Sequence, residues 1–317
     1  MHKISLESSN EKLRLSIQAD AAGLRLDRYL TIILTGISRT AVQQLIEDGE
    51  IRVNGRTSKS GYTLRIGDEV QVVSLNVHDK VINIIPRSLP LNIVYEDKDL
   101  LVVNKAAGMV VHPAPGHYDD TLVNALVARF PDITKEDSGL RPGIIHRLDK
   151  DTSGLIIIAR NAVTHAALAG QMKRHEIVKC YLALVEGVVA LDQGSIDAPI
   201  GRNPRHRKLM AVTAARSREA RTHFRVLERF NRHTLLLLEL ETGRTHQIRV
   251  HLKAIGHPIV GDPVYGSGSI SRGLTLKRQF LHAYQLKFTH PTTGNTVNLE
   301  APLPEDLQAI LEQKSFL

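Results

Sequence analysis

Apolar residues at Leu26, Tyr29, Leu30, Ile33 and Leu34 fall on one face of a helix, with Asp27, Arg28 and Thr31 on the other. Gly36 breaks that pattern. Ser38 is placed to cap a second helix that carries Ala41, Val42, Leu45 and Ile46 and stops near Gly49. The stretch Glu50-Ile51-Arg52-Val53-Asn54-Gly55 reads as a strand closing in a hairpin, because an Asn-Gly pair tolerates the left-handed backbone of a tight turn. A further strand is expected over Glu69–Val73, after Gly67-Asp68. Residues 13–75 are therefore expected to form a small α/β module, with polar residues 1–12 ahead of it.

Pro86 and Pro90 discourage regular structure, so residues 76–90 read as a linker. Beyond it, Leu91–Tyr95 and Leu100–Asn104 suggest two strands about the turn Glu96-Asp97-Lys98-Asp99, and Gly108, Pro113, Pro115 and Gly116 punctuate the loop that follows. The unbroken apolar run Leu155–Ala159 predicts a buried strand, and Leu235–Leu240 predicts another. Thr245 is placed to cap a helix whose buried stripe is Ile248, Leu252 and Ile255, ended by Gly256 and Pro258. Many strands with two or three helices make residues 91–310 an α+β domain, built on a mixed or antiparallel β-sheet with flanking helices.

With 42% hydrophobic and 23% charged residues over 317 positions, the chain has the composition of a globular protein long enough for two cores. No run of about 18 apolar residues occurs, which excludes a membrane-spanning helix, and no secretory signal is expected at the start. Cys180 is the single cysteine, so an internal disulfide is impossible and a reducing cytoplasm is the expected location. A monomer is the expected state.

The net charge of +8 is concentrated. Arg202–Arg232 holds ten Lys and Arg residues, Arg207 and Lys208 among them, and only two acids, so the rest of the chain nets zero. Such a block suits a polyanion, because each neutralised phosphate releases condensed counterions. A solvated, self-repelling loop is the alternative. However, Arg221, Arg225, Arg229 and Arg232 are interleaved with Phe224, Val226, Leu227 and Phe230, which places them on a packed element. Nucleic acid is the favoured partner, and with 4% aromatics and no Trp it is not held by extensive base stacking.

The densest candidate chemistry lies in Gly143-Ile144-Ile145-His146-Arg147-Leu148-Asp149-Lys150-Asp151-Thr152-Ser153-Gly154, a charged loop ahead of a buried strand. Asp149, Asp151, Ser153 and Gly154 imitate the start of a calcium-binding loop, but the position that needs a bidentate Glu is Arg160. Phosphate-binding and dinucleotide-binding glycine motifs are missing from the sequence, and His246 and His251 lack the spacing and the intervening Glu of a zinc-protease helix. No metal or nucleotide cofactor is expected. A second segment, Thr242-Gly243-Arg244-Thr245-His246-Gln247-Ile248-Arg249-Val250-His251-Leu252, gathers Arg244, His246 and Arg249 at a helix N-terminus, which favours an anion. That group could receive a phosphate or hold a catalytic carboxylate, and the residues alone leave both open.

The runs His146-Arg147-Leu148-Asp149, Thr242 to Arg249, and Lys179-Cys180-Tyr181-Leu182-Ala183-Leu184-Val185 together resemble the RluA family of RNA pseudouridine synthases. Val103-Asn104-Lys105 with Gly108-Met109, Val111-His112-Pro113, and Gly256-His257-Pro258 with Gly261-Asp262-Pro263 support the match. Ala106 departs from it, since the family usually has Pro there. Upstream, Arg25-Leu26-Asp27-Arg28-Tyr29-Leu30, Ser38-Arg39-Thr40 and Ile51 to Gly55 resemble the alpha-L RNA-binding module of a small-subunit ribosomal protein and some tRNA synthetases, with an RNA face displayed by Arg28, Arg39 and Arg52. The combination is most similar to the RluD-like branch, which modifies large-subunit ribosomal RNA.

The resemblance implies an active-site cleft, no cofactor, and isomerisation of uridine to pseudouridine in RNA. It selects Asp149 over Asp151 as the nucleophile, which spacing does not. It also places Tyr181 against the base, where it could help remove the C5 proton, pairs Arg249 with the carboxylate, and sends Arg147 into the space the extruded base leaves, with phosphate binding as the alternative for Arg147. A carboxylate is ionised at neutral pH, so the nucleophile needs orientation more than activation. Asp151 is expected to cap the turn through the Ser153 or Gly154 amide, and Cys180 to be a small packed side chain. Two other readings fit the basic block: the same chemistry on tRNA or another ribosomal position, and a non-catalytic RNA-binding assembly factor. The last leaves an Asp, a Tyr and an Arg at the family's reactive positions unexplained.

Overall fold

A computed structural model describes residues 13–34, 37, 39–74, 84–114, 116–134, 142–266 and 276–313. The chain divides into two compact units between Asn83 and Ile84. The first contains β1 (Leu13–Ser16), α1 (Leu26–Ile33), α2 (Arg39–Glu47), β2 (Ile51–Val53), β3 (Arg56–Thr57) and β4 (Glu69–Val72). Its strands form an antiparallel sheet in the order β1-β4-β2-β3. Leu26, Tyr29, Leu30 and Ile33 of α1 and Val42, Leu45 and Ile46 of α2 pack with Ile51, Val53, Val70 and Val72 of that sheet. Asn54 and Gly55 hold φ values of 53° and 76°, so two residues turn β2 into β3 with Val53 opposite Arg56, as the Asn-Gly pair requires.

Asp27 departs from its expected place on the polar face of α1. It is fully buried, accepting from Arg25 Nε and Nη2 at 3.0 and 2.9 Å and from Gln43 Nε2 at 2.7 Å, and so ties α1 to α2. A buried carboxylate survives in an apolar setting only when hydrogen-bonded and paired in this way. The expected break at Gly36, the cap at Ser38 and residues 76–83 of the linker lie outside the described residues.

The second unit contains β5 (Ile93–Glu96), β6 (Leu100–Lys105), α3 (Leu122–Arg129), β7 (Ser153–Ala159), α4 (Ala162–Lys173), β8 (Val178–Glu186), β9 (Gln193–Asp197), β10 (Ile200–Arg202), β11 (Met210–Val212), β12 (Arg221–Arg229), β13 (His233–Leu240), α5 (Gln247–Ala254), β14 (Leu281–Thr289), β15 (Thr296–Glu300) and α6 (Glu305–Glu312). Its main sheet runs β5-β6-β7-β14-β8-β13-β12-β9, with β15 beside β14, and β10 and β11 form a separate ribbon. Neighbours are antiparallel except for β7 and β14. This is the mixed α+β architecture expected from the pattern. Residues 84–90, expected as the second half of a linker, are instead tied to α3: Asn124 Nδ2 donates to the Ile85 carbonyl at 2.9 Å, and the Arg87 amide donates to the Asn124 carbonyl at 3.1 Å.

Strand β7 explains why its sequence is apolar without alternation. Ile156 and Ile158 face one core with Leu122, Val123 and Leu126 of α3, while Leu155, Ile157 and Ala159 face another with Leu168 of α4. A strand covered on both faces has no polar side, and each large residue fully buried there contributes roughly 1.5–3 kcal/mol. Gly154 opens the strand at φ 117°, where an added Cβ would lie 2.3 Å from the Ala283 carbonyl oxygen. Only glycine lets β7 approach β14 directly after the charged loop. Gly154→Ala is expected to lose about 2–4 kcal/mol in urea unfolding, from backbone strain and overpacking together.

The β5–β6 turn is closed by Asp97, which accepts from the Asp99 and Leu100 amides, from Tyr95 Oη at 2.7 Å and from His290 Nε2 at 2.8 Å. Asp97, Asp99 and His290 lie close enough to suggest a cation site. The Asp97 oxygens and His290 Nε2 are already used by these bonds, so the group serves as a clasp. Burial works against the Asp97 charge, but Tyr95, the two amides and His290 outweigh it and hold the pKa down at about 2. Because that lies below the unfolded value of ~3.9, the stabilisation is present above about pH 4 and is lost as pH falls toward about 2. The stability gap between the wild type and Asp97→Asn, measured by urea unfolding, is expected to shrink over that interval.

Candidate active site

The loop between Gly143 and β7 is held by its backbone carbonyls and by Ile144 and Leu148, which are buried in the core. The carbonyls of three successive residues are each taken. The Thr152 amide donates to Asp149 O at 3.1 Å, the Gly108 amide and Lys105 Nζ donate to Lys150 O at 2.9 and 3.0 Å, and Arg278 Nη1 donates to Asp151 O at 3.1 Å. Lys105 is itself fully buried and also donates to the Ala106 and Met109 carbonyls, so one ammonium fastens two loops together. Burial pushes its pKa down to about 7, opposed by the nearby charges of Asp151 and Asp149. Asp151 does not cap the turn as expected: among the described residues its carboxylate bonds neither the Ser153 nor the Gly154 amide, and it acts through its charge beside Lys105.

Asp149 projects from this loop with its side chain 19% exposed. Its Oδ2 accepts from Arg249 Nη1 at 2.9 Å, across 100 residues of sequence, while Oδ1 has no hydrogen bond among the described residues. Arg249 is buried on α5 and does not rely on Asp149 for its place. Its Nε and Nη2 are gripped by Asp262 at 2.8 and 2.9 Å, and Asp262 Oδ1 also accepts the amides of Val264 and Tyr265. This fork-on-fork pairing fixes the guanidinium plane, so its remaining edge aims at Asp149. Burial opposes the charge of both partners, yet their mutual bonds keep the Arg249 pKa raised and the Asp262 pKa lowered. Asp262 stands in the segment Gly261-Asp262-Pro263, but nothing in its spacing from Arg249 marks it as that residue's anchor.

A third set of bonds orients His246. The Tyr265 hydroxyl accepts the Met210 amide at 3.0 Å and bonds His246 Nδ1 at 2.8 Å, which leaves His246 Nε2 3.9 Å from Asp149 Oδ2. Burial lowers the His246 pKa, with Asp149 pulling the other way. The Tyr265 ring also lies 5.0 Å from the Arg249 guanidinium carbon. Tyr265 carried no sequence signal, yet it touches both groups that flank the carboxylate.

Two expectations for α5 are corrected. Its N-cap is His246 in the left-handed conformation at φ 56°, not Thr245, which is exposed. Gln247 instead ties the helix to the preceding loop, its Oε1 accepting from Thr242 Oγ1 and the Arg244 amide at 2.8 and 2.9 Å. Ile255 is 39% exposed, and Val250 takes the buried place, packing with Ile200, Ala220 and Tyr265. The helix has to bury Gln247, Arg249 and His251 as well, so apolar spacing alone misplaces its inner face.

Asp149, Tyr181 and Arg249 line one cleft of about 430 Å³, together with His146, Arg147, Lys179, Arg244 and His246. That volume suits a small ligand or one nucleotide. Arg147, Lys173, Lys179, Arg244 and Arg249 line it against two carboxylates, Asp149 and Glu241, so the cleft is electropositive. Tyr181 is buried in its wall. Burial, then the charges of Asp149 and Cys180, raise its pKa, so the phenol stays protonated at neutral pH. His146 accepts the Ile157 amide at 3.2 Å through Nε2, and burial beside the Lys179 charge pushes its pKa down to about 3, so it is neutral. Cys180 is buried and packed, and burial pushes its thiol up to about 11.

The expected RNA contacts are placed separately. Arg147 is exposed at the cleft, Arg28 is exposed on α1, and Arg39 opens α2 with its side chain outside the described part. Arg207 and Lys208 are exposed in the turn between β10 and β11. The basic block is less free than its charge implied. Arg221 pairs with Asp197 and Glu241, and Arg229 pairs with Asp192, all acids outside the block. Removing Asp262 tests the anchoring of the carboxylate's partner: Asp262→Ala strands a buried guanidinium and is expected to lose about 3–5 kcal/mol in urea unfolding, with Asp262→Asn losing less.

Comparison with known proteins agrees with this geometry. The RNA pseudouridylate synthase family matches residues 99–254, and the S4 domain family matches residues 24–70. An uncharacterized RNA pseudouridine synthase of Bacillus subtilis is 46% identical, over 91% of this chain and 93% of its own. The ribosomal large subunit pseudouridine synthase D of Xanthomonas campestris is 42% identical, over 97% of this chain and 94% of its own. Among solved structures, the human RNA pseudouridylate synthase domain containing 1 matches 70% of this chain and 88% of its own, with a TM-score of 0.56 and 33% identity. With its cleft, its Asp149–Arg249 pair and this similarity along nearly its whole length, the chain belongs to the RNA pseudouridine synthases.

Proposed function

We propose that this enzyme converts specific uridines of large-subunit ribosomal RNA to pseudouridine, with Asp149 as the nucleophile. The observation that carries the reading is the presentation of Asp149: one oxygen held by a fixed guanidinium, the other open to an electropositive cleft. The reaction breaks the N1–C1′ bond, turns the uracil, and joins C5 to C1′, with a proton lost from C5 and one gained at N1. A carboxylate supplies a covalent handle while the base turns. Arg249 sets its aim, and Tyr181 packs against the base. Its protonated phenol suits that packing better than abstraction of the C5 proton.

Four features support the target and its capture. Relatives at about 40% identity carry the name ribosomal large subunit pseudouridine synthase D. The S4-type module, which we assign to residues 13–75, offers Arg28 and Arg39, and the synthase domain, assigned to residues 91–310, offers Arg207 and Lys208 on an exposed ribbon. Exposed Arg147 at the cleft is placed to fill the space left by an extruded base, which offsets an unstacking cost of a few kcal/mol. The reading takes the protein as a cytoplasmic monomer, in keeping with a single cysteine, Cys180, that is buried and free.

Asp149→Asn is expected to lower the rate of tritium release from C5-labelled uridine in ribosomal RNA by at least about 10³-fold, with RNA affinity nearly unchanged. Retained turnover would refute the assignment. Pseudouridine mapping of ribosomal RNA and tRNA, from cells with and without the protein, separates the proposed target from the tRNA reading. A map with no missing pseudouridine would favour a non-catalytic assembly factor.

A further inference from the structure

Among the described residues, Lys179 is the buried cleft cation without an adequate partner. It lies on β8 two positions before Tyr181, so both side chains leave the strand on the same face. The residue is 6% exposed and lines the cleft. Among the described residues its Nζ donates only to the Met172 sulfur at 3.5 Å, a weak acceptor. His146, close enough for its own titration to feel the lysine, is neutral and has its Nε2 committed to the Ile157 amide. Glu239, which interacts with Lys179 through its charge, stands on β13 opposite Cys180, the residue whose side chain leaves the other face of β8. By contrast, the other buried cations of this unit are satisfied: Lys105 by three carbonyls, Arg249 by two carboxylates, and Arg278 by Asp306 and two carbonyls.

A buried ammonium with only a thioether for company is expensive to keep, and such groups persist where a ligand completes them. We propose that Lys179 is a substrate-contacting residue whose ammonium donates to a carbonyl oxygen of the extruded uracil. The proposal rests on the reading of Asp149 as the reacting carboxylate. Heterolysis of N1–C1′ leaves the bonding pair on N1, and the detached uracil carries a negative charge spread onto O2 and O4 until C5 bonds C1′. An ammonium beside those oxygens stabilises that charge and keeps its own proton throughout. A phosphate is the less suitable partner, because Lys179 is buried beside Tyr181 whereas Arg147 and Lys173 offer exposed cations at the same cleft. Burial pushes the Lys179 pKa down to about 8, with Glu239 opposing, so its charge is lost just above neutral pH. Tyr181 on the same strand, His146 and Asp149 on the loop before β7, Lys173 and His175 at the end of α4, Glu239 on β13, and Glu241 and His246 between β13 and α5 are the titratable groups that act on it or share its cleft.

The test compares the wild type, Lys179→Met, Lys179→Arg and Asp149→Asn on unmodified large-subunit ribosomal RNA. It measures single-turnover pseudouridine formation, RNA affinity against salt, and thermal unfolding. Lys179→Met is expected to react about 10- to 100-fold more slowly. Its RNA affinity should be within about threefold of wild type, its salt slope unchanged, and its melting temperature equal or higher, since a buried charge has been removed. The wild type is expected to lose activity above about pH 8, and Lys179→Arg to recover part of the rate and to abolish that loss. A wild-type rate in folded Lys179→Met overturns the proposal. So does a defect confined to affinity with a salt slope smaller by about 0.7–0.9, which assigns the lysine to a phosphate. A lowered melting temperature with no change in the chemical step also overturns it, as the mark of a structural role. Asp149→Asn in the same assay separates the two readings: if it stays active the nucleophile assignment fails, and if it is inactive beside a normal Lys179→Met only the lysine assignment fails.

Discussion

The chemistry we propose for this protein depends on a guanidinium held from behind. Arg249 is clasped through Nε and Nη2 by Asp262, and only its remaining Nη1 reaches Asp149. The order of those commitments matters. A buried arginine with one partner would swing toward whichever carboxylate was nearer, but one already fixed by a bidentate pair presents its third edge in a set direction. Asp149 is then oriented without being consumed, since its second oxygen stays open. The expense of burying two charges is met by the amides of Val264 and Tyr265, which also bond Asp262, and by the Tyr265 ring beside the guanidinium.

Around that pair the fold divides its labour. The loop that bears Asp149 is immobilised through carbonyls by Lys105, Gly108, Thr152 and Arg278, and is followed by a strand buried on both faces. The Asp149 side chain therefore stands on a rigid base although it belongs to a loop. Positive charge sits at the cleft rim and on the β10–β11 ribbon, where it can collect a polyanion without needing exact placement.

Much of the architecture was legible because it rests on local rules. The Asn54-Gly55 turn, the paired amphipathic helices and the unbroken apolar run of β7 each follow from period and turn chemistry. Charged residues that the fold buries were not legible. Asp27 read as solvent-facing and Thr245 as a cap because helical period says nothing of a carboxylate recruited by Arg25 and Gln43, or of a histidine placed in left-handed backbone to turn its ring inward. In the candidate site, family resemblance named Asp149, Tyr181 and Arg249, and the fold gathers them in one cleft. Asp262 and Tyr265 act through tertiary contacts alone. The +8 block overstated its free charge because Asp192 just before β9, Asp197 at the end of β9, and Glu241 just after β13 are brought to it only by the fold.

The account treats Arg249 and Asp262 as one device that aims Asp149. A double-mutant cycle of Arg249→Lys and Asp262→Asn, read as single-turnover pseudouridine formation with RNA saturating, measures that directly. Strong coupling is predicted, with the double variant about as slow as the slower single variant, because either change alone disables the same device. Losses that simply multiply would show the two residues acting independently, and would contradict it.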